Sequence, residues 1–194
     1  MKKIIWICSY PKSGNTFVRI LLSAYFFSKN GVFSDFNLLK NICNFTDTEN
    51  FKQLIKLTNN KNLLNDFNYI TKEYSNIQQY ITKNLNSDFC FLKTHSSNFF
   101  TKSSKLIDPK HSLGVIFIVR DPRDVLISFS KHKGQEIEKM KNKMLNNIYY
   151  SNLLTKYDIP ELLSTWKNHY NSFNTYKKIP IIKLKYENLI INTS

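Results

Sequence analysis

The chain has 194 residues, a net charge of +14 and 42% hydrophobic residues, enough apolar content for a packed core and too much for disorder. No stretch is apolar for long enough to span a bilayer, and Cys8, Cys43 and Cys90 lack the close spacing of a zinc motif. The positive balance attracts nucleotides, nucleic acid, sulfated glycans or anionic membrane, or reflects a general Lys and Asn bias, since the lysines are scattered rather than clustered. Met1-Lys2-Lys3 followed by Ile4 to Cys8 is too short for a signal peptide and runs into Pro11-Lys12. A reducing, cytoplasmic setting is expected, with Cys8 and Cys90 as buried thiols in apolar runs.

In chain order, Ile4 to Cys8 is β-branched and aromatic, and reads as a buried strand. A polar loop follows from Ser9 to Asn15. From Thr16 the apolar residues Phe17, Ile20, Leu21, Ala24 and Tyr25 fall at helical spacing, and Lys29-Asn30-Gly31 stops the helix. A strand, a tight loop with one Gly and a helix aim backbone N–H groups and the positive helix end at one spot, which suits phosphate or sulfate. Lys12 adds a cation, and Ser13 and Thr16 add hydroxyls. The loop is not a Walker A motif, because Lys12 precedes Gly14 instead of following a second Gly.

Two or three helices are expected between Val32 and Asn86, foremost Thr48 to Leu57 and Asn65 to Lys83, with Asp47 and Asn65 as candidate N-caps. Phe89 to Lys93 reads as a strand, leading into Thr94-His95, and Ser103 to Pro109 as a loop or short helix. Gly114 to Arg120 is continuously apolar, as a strand buried on both faces of a parallel sheet would be. Asp121 then sits as N-cap, Pro122 as first helical residue and Asp124 in the first turn, with Val125, Leu126 and Phe129 continuing the helix. Further helical patterns run from Ile137 to Lys156 and from Glu161 to Lys177, and Ile181 to Lys185 is a last strand, closed by Tyr186-Glu187-Asn188-Leu189. The alternation predicts one α/β domain over residues 1–194, a three-layer fold with a parallel sheet of four or five strands flanked by helices, like P-loop nucleotide-binding folds.

Arg19, Arg120 and Arg123 are the only arginines in this Lys-rich chain; Arg19 falls beside the candidate anion loop and Arg120 and Arg123 fall where the Gly114 to Arg120 strand gives way to a helix, places where a planar bidentate donor matters. His111, His132 and His169 read as structural, whereas His95 ends a strand between the two segments. Neutral imidazole there can accept a proton at neutral pH.

Tyr10-Pro11-Lys12-Ser13-Gly14-Asn15-Thr16-Phe17 resembles the 5′-phosphosulfate loop, Y-P-K-S-G-T-T-W, of the sulfotransferases that use 3′-phosphoadenosine 5′-phosphosulfate (PAPS), with Asn15 and Phe17 as departures. Ile118 to Ser128 resembles the family's 3′-phosphate segment, V-x-R-N/D-P-x-D-V-x-x-S, Lys93-Thr94-His95 its K-T-H segment, and Tyr186 to Leu189 its Y-E-D-L/M segment. The resemblance implies that Lys12, Ser13, Gly14, Asn15 and Thr16 hold the 5′-phosphosulfate and that Arg120 and Ser128 hold the 3′-phosphate. It implies His95 as general base, with Lys12 and Lys93 as further catalytic groups. Tyr186 and Phe17 are candidates for adenine contact and equally for core aromatics.

The expected reaction is sulfuryl transfer from PAPS to a hydroxyl or amine of a small-molecule, lipid or glycan acceptor, without a metal and without a specific nucleic-acid partner. The sequence stops at Ser194 without the family's R-K-G type segment and nucleotide cover. The alternative expectation is therefore a catalytically impaired remnant of the fold that binds nucleotide or polyanion.

Overall fold

The computed structural model describes residues 2–47, 49–51, 67–101, 104–146, 149–151, 159 and 161–191. Its centre is a five-stranded, all-parallel sheet built from β1 (Lys3–Ser9), β2 (Ile42–Asn44), β3 (Phe89–Thr94), β6 (Ser112–Val119) and β9 (Ile181–Lys185), in the order β2-β3-β1-β6-β9. Register places Cys8 level with Thr94 on one side and Phe117 on the other. Ser9, His95 and Arg120 therefore emerge at the same, carboxyl-terminal edge of the sheet. The chain leaves β1 towards β3 and leaves β6 in the opposite direction towards β9, so the crevice above β1 and β6 is the switch point where ligands of open α/β sheets sit.

Alternation along the strands loads both faces, as expected for a buried parallel sheet. Ile4, Trp6 and Cys8 of β1 and Val115 and Phe117 of β6 pack into one core with Ile70, Tyr74 and Ile77 of α2 (Phe67–Lys83) and Phe173 of α5 (Trp166–Asn174). Ile7 and Ile118 point the other way, onto Val18 and Leu22 of α1 (Asn15–Phe27). The helices of the carboxyl-edge side, α3 (Pro122–Lys133) and α4 (Ile137–Asn146), close over Tyr10 through Val125, Phe129, Met140 and Met144. Fully burying a side chain of this size contributes about 1.5–3 kcal/mol, so Trp6, Phe117 and Phe173 anchor the layers. The indole of Trp6 also donates to Ser112 Oγ at 2.9 Å, which satisfies its one polar group.

The architecture is the α/β sheet with flanking helices that the sequence implied, and several elements differ from the reading in detail. The helix expected over Ile137 to Lys156 ends at Asn146, and Tyr149–Ser151 forms a strand, β7. Glu161 does not begin a helix: Glu161–Leu163 is β8, antiparallel to β7, and α5 starts only at Trp166, where Thr165 Oγ1 accepts the Asn168 N–H. Within the segment read as loop or short helix, Ser104–Lys105 forms a two-residue strand, β5, antiparallel to β4 (Phe100–Thr101) just before it. Tyr186–Ile191 is a short helix, α6, following β9. Cys8 is fully buried, as expected, but Cys90 is only half-buried. Most of the helix expected at Thr48 to Leu57, and the Asn65 cap, lie outside the described residues, while Asp47 Oδ1 does accept the Glu49 N–H. Among the described residues no helix is long and apolar enough to cross a membrane.

Candidate active site

The loop between β1 and α1 is held in shape from beneath and from one flank. Lys12 adopts φ 65° and Gly14 φ 100°, both left-handed, so the chain turns sharply into α1. Asn15 Nδ2 donates back to Ile7 O and to Ser9 Oγ, at 3.3 and 3.2 Å, tying the helix start to the end of β1. No side chain caps α1 and no acidic residue lies in its first turn, so the N–H groups of that turn and the positive helix end are left open. Ser13 Oγ and Asn15 Oδ1 are buried and have no hydrogen-bond partner among the described residues. A buried hydroxyl without a partner costs roughly 1–3 kcal/mol, which a bound anion would relieve for Ser13. The loop therefore fits a phosphate or sulfate group. Thr16 is exposed at its mouth.

One flank is aromatic and cationic. The Tyr186 ring lies so close to Gly14 that a Cβ there would sit 2.3 Å from Cδ2. Phe17 meets the same ring edge-on, centroids 6.4 Å apart, and the Arg120 guanidinium lies over it at 4.6 Å. Arg120 Nη1 also donates to Lys12 O at 3.1 Å, so the arginine braces the loop from the end of β6. Glu187, beside Tyr186, accepts the Asp121 N–H at 2.8 Å and fastens α6 to the start of α3. Ser128 lies half-buried about two turns into α3, on the same helix.

Through Pro11 and Lys12 the loop also lines a cleft of about 190 Å³ that contains Lys93, His95 and Glu161. His132 and Lys133, from the last turn of α3, complete its wall. His95 Nδ1 lies 2.9 Å from Ser9 O. A carbonyl only accepts, so this contact, shorter than the 3.3 Å from Nδ1 to the Ser9 hydroxyl, assigns the proton to Nδ1 and the lone pair to Nε2. Burial, and then the Lys93 charge, push His95 down to about 4, against an upward pull from Glu161. Lys93 itself is pushed below its ordinary value by burial, with Glu161 opposing. The imidazole is neutral at pH 7, the state a proton acceptor needs. His132, although exposed, is pushed down by Lys12, then by burial and Lys133, which marks the cleft as electropositive.

The structure brings Lys12, Lys93 and His95 into one cleft and Gly14, Phe17, Arg120 and Tyr186 into one cluster. It does not bring all three arginines there. Arg19 Nη2 donates to Leu39 O and Ile42 O, at 3.0 and 2.8 Å, and Arg123 folds back on Asp121 at 2.6 Å in solvent. His169 is buried between Tyr10, Phe117 and Phe173, as a structural histidine would be. Sequence reasoning missed Glu161, Glu187, His132 and Lys133. Only Glu187 stood inside a recognised segment; the others carry no local signal.

The family model described as a sulfotransferase domain matches residues 2–194. No curated protein matches the chain.

Proposed function

Because the chain belongs to the sulfotransferase domain family, we propose that it transfers a sulfuryl group from PAPS to a hydroxyl or amine of a small-molecule, lipid or glycan acceptor. The observation that carries the reading is the convergence of His95, Lys93 and Lys12 on one cleft beside an uncapped, anion-ready loop. PAPS, bound with its phosphosulfate at the loop, supplies the sulfuryl group. The N–H groups at the start of α1, Ser13 and Lys12 hold that anion, and Arg120 with Ser128 is assigned to the 3′-phosphate. Tyr186 and Phe17 offer ring faces and edges for adenine, with Gly14 letting the loop approach Tyr186 closely.

His95 Nε2 takes the proton from the acceptor hydroxyl or amine as the acceptor atom bonds to sulfur and the bond from sulfur to the bridging phosphate oxygen breaks. Lys12 neutralises charge on that leaving oxygen, and Lys93 adds to the positive field of the cleft. As in phosphoryl transfer, charge is spread over the transferred oxygens, so positioning and electrostatics do most of the work. Nucleotide charge entering the cleft opposes the Lys93 effect and raises the basicity of His95 where it is needed.

The test is transfer from sulfur-labelled PAPS to a panel of hydroxyl and amine acceptors, with wild type and His95→Ala. Turnover should fall ~10²–10⁴-fold in the variant while affinity for the product nucleotide, 3′-phosphoadenosine 5′-phosphate, is unchanged. Equal loss of both would make His95 structural. Nucleotide binding with no transfer to any acceptor would leave the chain a binding protein on this fold.

A further inference from the structure

We propose that Glu161 is a positioning residue for His95: one carboxylate oxygen pins the backbone of the β3 exit turn and thereby holds the imidazole in the Nδ1–H form with Nε2 free. This rests on the reading of His95 as the base. Glu161 is 3% exposed, an unusual place for a carboxylate unless its oxygens are used. Its Oε1 accepts the His95 N–H at 2.8 Å and the Thr94 hydroxyl at 3.2 Å. The neighbouring residues continue the same attachment. Leu162 N donates to Ser96 Oγ at 3.1 Å, Ser97 N donates to Leu162 O at 2.9 Å, and the Ser97 and Ser164 hydroxyls meet at 2.6 Å. β8 is thus a strap along the segment 94–97.

The strap determines where the imidazole can be. The His95 backbone is fixed by Glu161 from β8 and its ring by Ser9 O from β1, so two distant elements define one side-chain position. Without the Glu161 oxygen, the His95 N–H is left inside the protein without its acceptor, and the turn must shift to find another. A shift of about 1 Å at a catalytic group is enough to cost on the order of 10²-fold in rate. Facing His95 are Lys93 on β3, Glu161 on β8, Arg19 on α1 and His169 on α5, so a charge role for Glu161 is the competing account.

Position and charge separate by substitution. Glu161→Gln keeps the acceptor oxygen at its place and removes the charge. Glu161→Asp keeps the charge and withdraws it by one methylene. Two readouts apply to each, and to Glu161→Ala. The first is ¹⁵N NMR of the His95 imidazole at neutral pH on the chain alone, assigned by loss of its signals in His95→Gln. The second is kcat for sulfuryl transfer alongside the dissociation constant of the product nucleotide. Wild type and Glu161→Gln should show the Nδ1–H form, and kcat should agree within a few-fold. Glu161→Asp and Glu161→Ala should shift towards the Nε2–H form that dominates in water, with kcat down about 10–100-fold and nucleotide affinity unchanged. The reverse order, aspartate like wild type and glutamine impaired, would overturn the proposal in favour of charge. An unchanged tautomer in both Asp and Ala variants would reduce Glu161 to a structural role. If Glu161→Ala does not fold, the Gln and Asp pair still decides. The NMR arm needs no turnover, so failure of the sulfuryl-transfer reading leaves it intact and is recognised separately.

Discussion

Gly14→Ala probes the joint between the anion loop and the aromatic flank. Two effects add. The backbone at φ 100° disfavours any side chain, which costs roughly 1–3 kcal/mol. The new Cβ would also stand 2.3 and 2.7 Å from Tyr186 Cδ2 and Cε2, an overlap that only movement of the ring relieves, for roughly another 1–3 kcal/mol. The expected loss of unfolding free energy is therefore about 2–6 kcal/mol, and it should come with weaker nucleotide binding because the Arg120–Tyr186 stack must open. The assay is chemical unfolding of wild type, Gly14→Ala, Tyr186→Ala and the double variant. Removing the ring should recover the overlap part, so the cycle should show a favourable coupling of about 1–3 kcal/mol, with only the backbone strain left. Additivity within about 0.5 kcal/mol would refute the close approach, as would a neutral Gly14→Ala.

Arg19→Ala should destabilise the fold by about 1.5–3 kcal/mol, through loss of its hydrogen bonds to the Leu39 and Ile42 carbonyls, and leave nucleotide affinity unchanged. Lost affinity with intact stability would return Arg19 to an anion site. Acid should weaken the fold in a defined window. Burial, and then the nearby His95, push His169 from 6.5 to about 3, and His95 is held near 4, so the native state keeps both neutral while the unfolded chain binds protons. Stability should be fully present above pH 6.5 and fall as pH drops towards 4, less steeply in His169→Phe, as unfolding midpoints across that range will show. An identical slope in the variant would mean that His169 is not the group responsible.

The strands that carry the site were legible because each is locally distinctive. Ile4 to Cys8 and Gly114 to Arg120 are β-branched apolar runs, observed as Lys3–Ser9 and Ser112–Val119, and the Pro-Lys-Ser-Gly and Arg-Asp-Pro steps announce the turns that follow them. The α3 start was legible for the same reason, since Asp121 accepts the Arg123 N–H as an N-cap should. β8 was not. Glu161-Leu162-Leu163 suits a helix by local propensity, and its conformation is decided by Tyr149–Ser151 and by residues 94–97, some 66 positions away. β2, three residues long, gives too short a pattern to register. The arginines show the limit of compositional reasoning: of Arg19, Arg120 and Arg123, only Arg120 braces the anion loop, while Arg19 satisfies main-chain carbonyls that no sequence pattern reveals.

If this edge of the sheet holds a 3′-phosphorylated adenosine nucleotide, as proposed above, calorimetry will show it. Titrations of 3′-phosphoadenosine 5′-phosphate and of ATP into the chain, at low and moderate salt, should give binding of the first and little of the second. Arg120→Ala should weaken that binding by about 1.5–3 kcal/mol, the range for a hydrogen bond to a charged group. ATP binding as tightly as the 3′-phosphorylated nucleotide, or an Arg120→Ala variant binding like wild type, would contradict it.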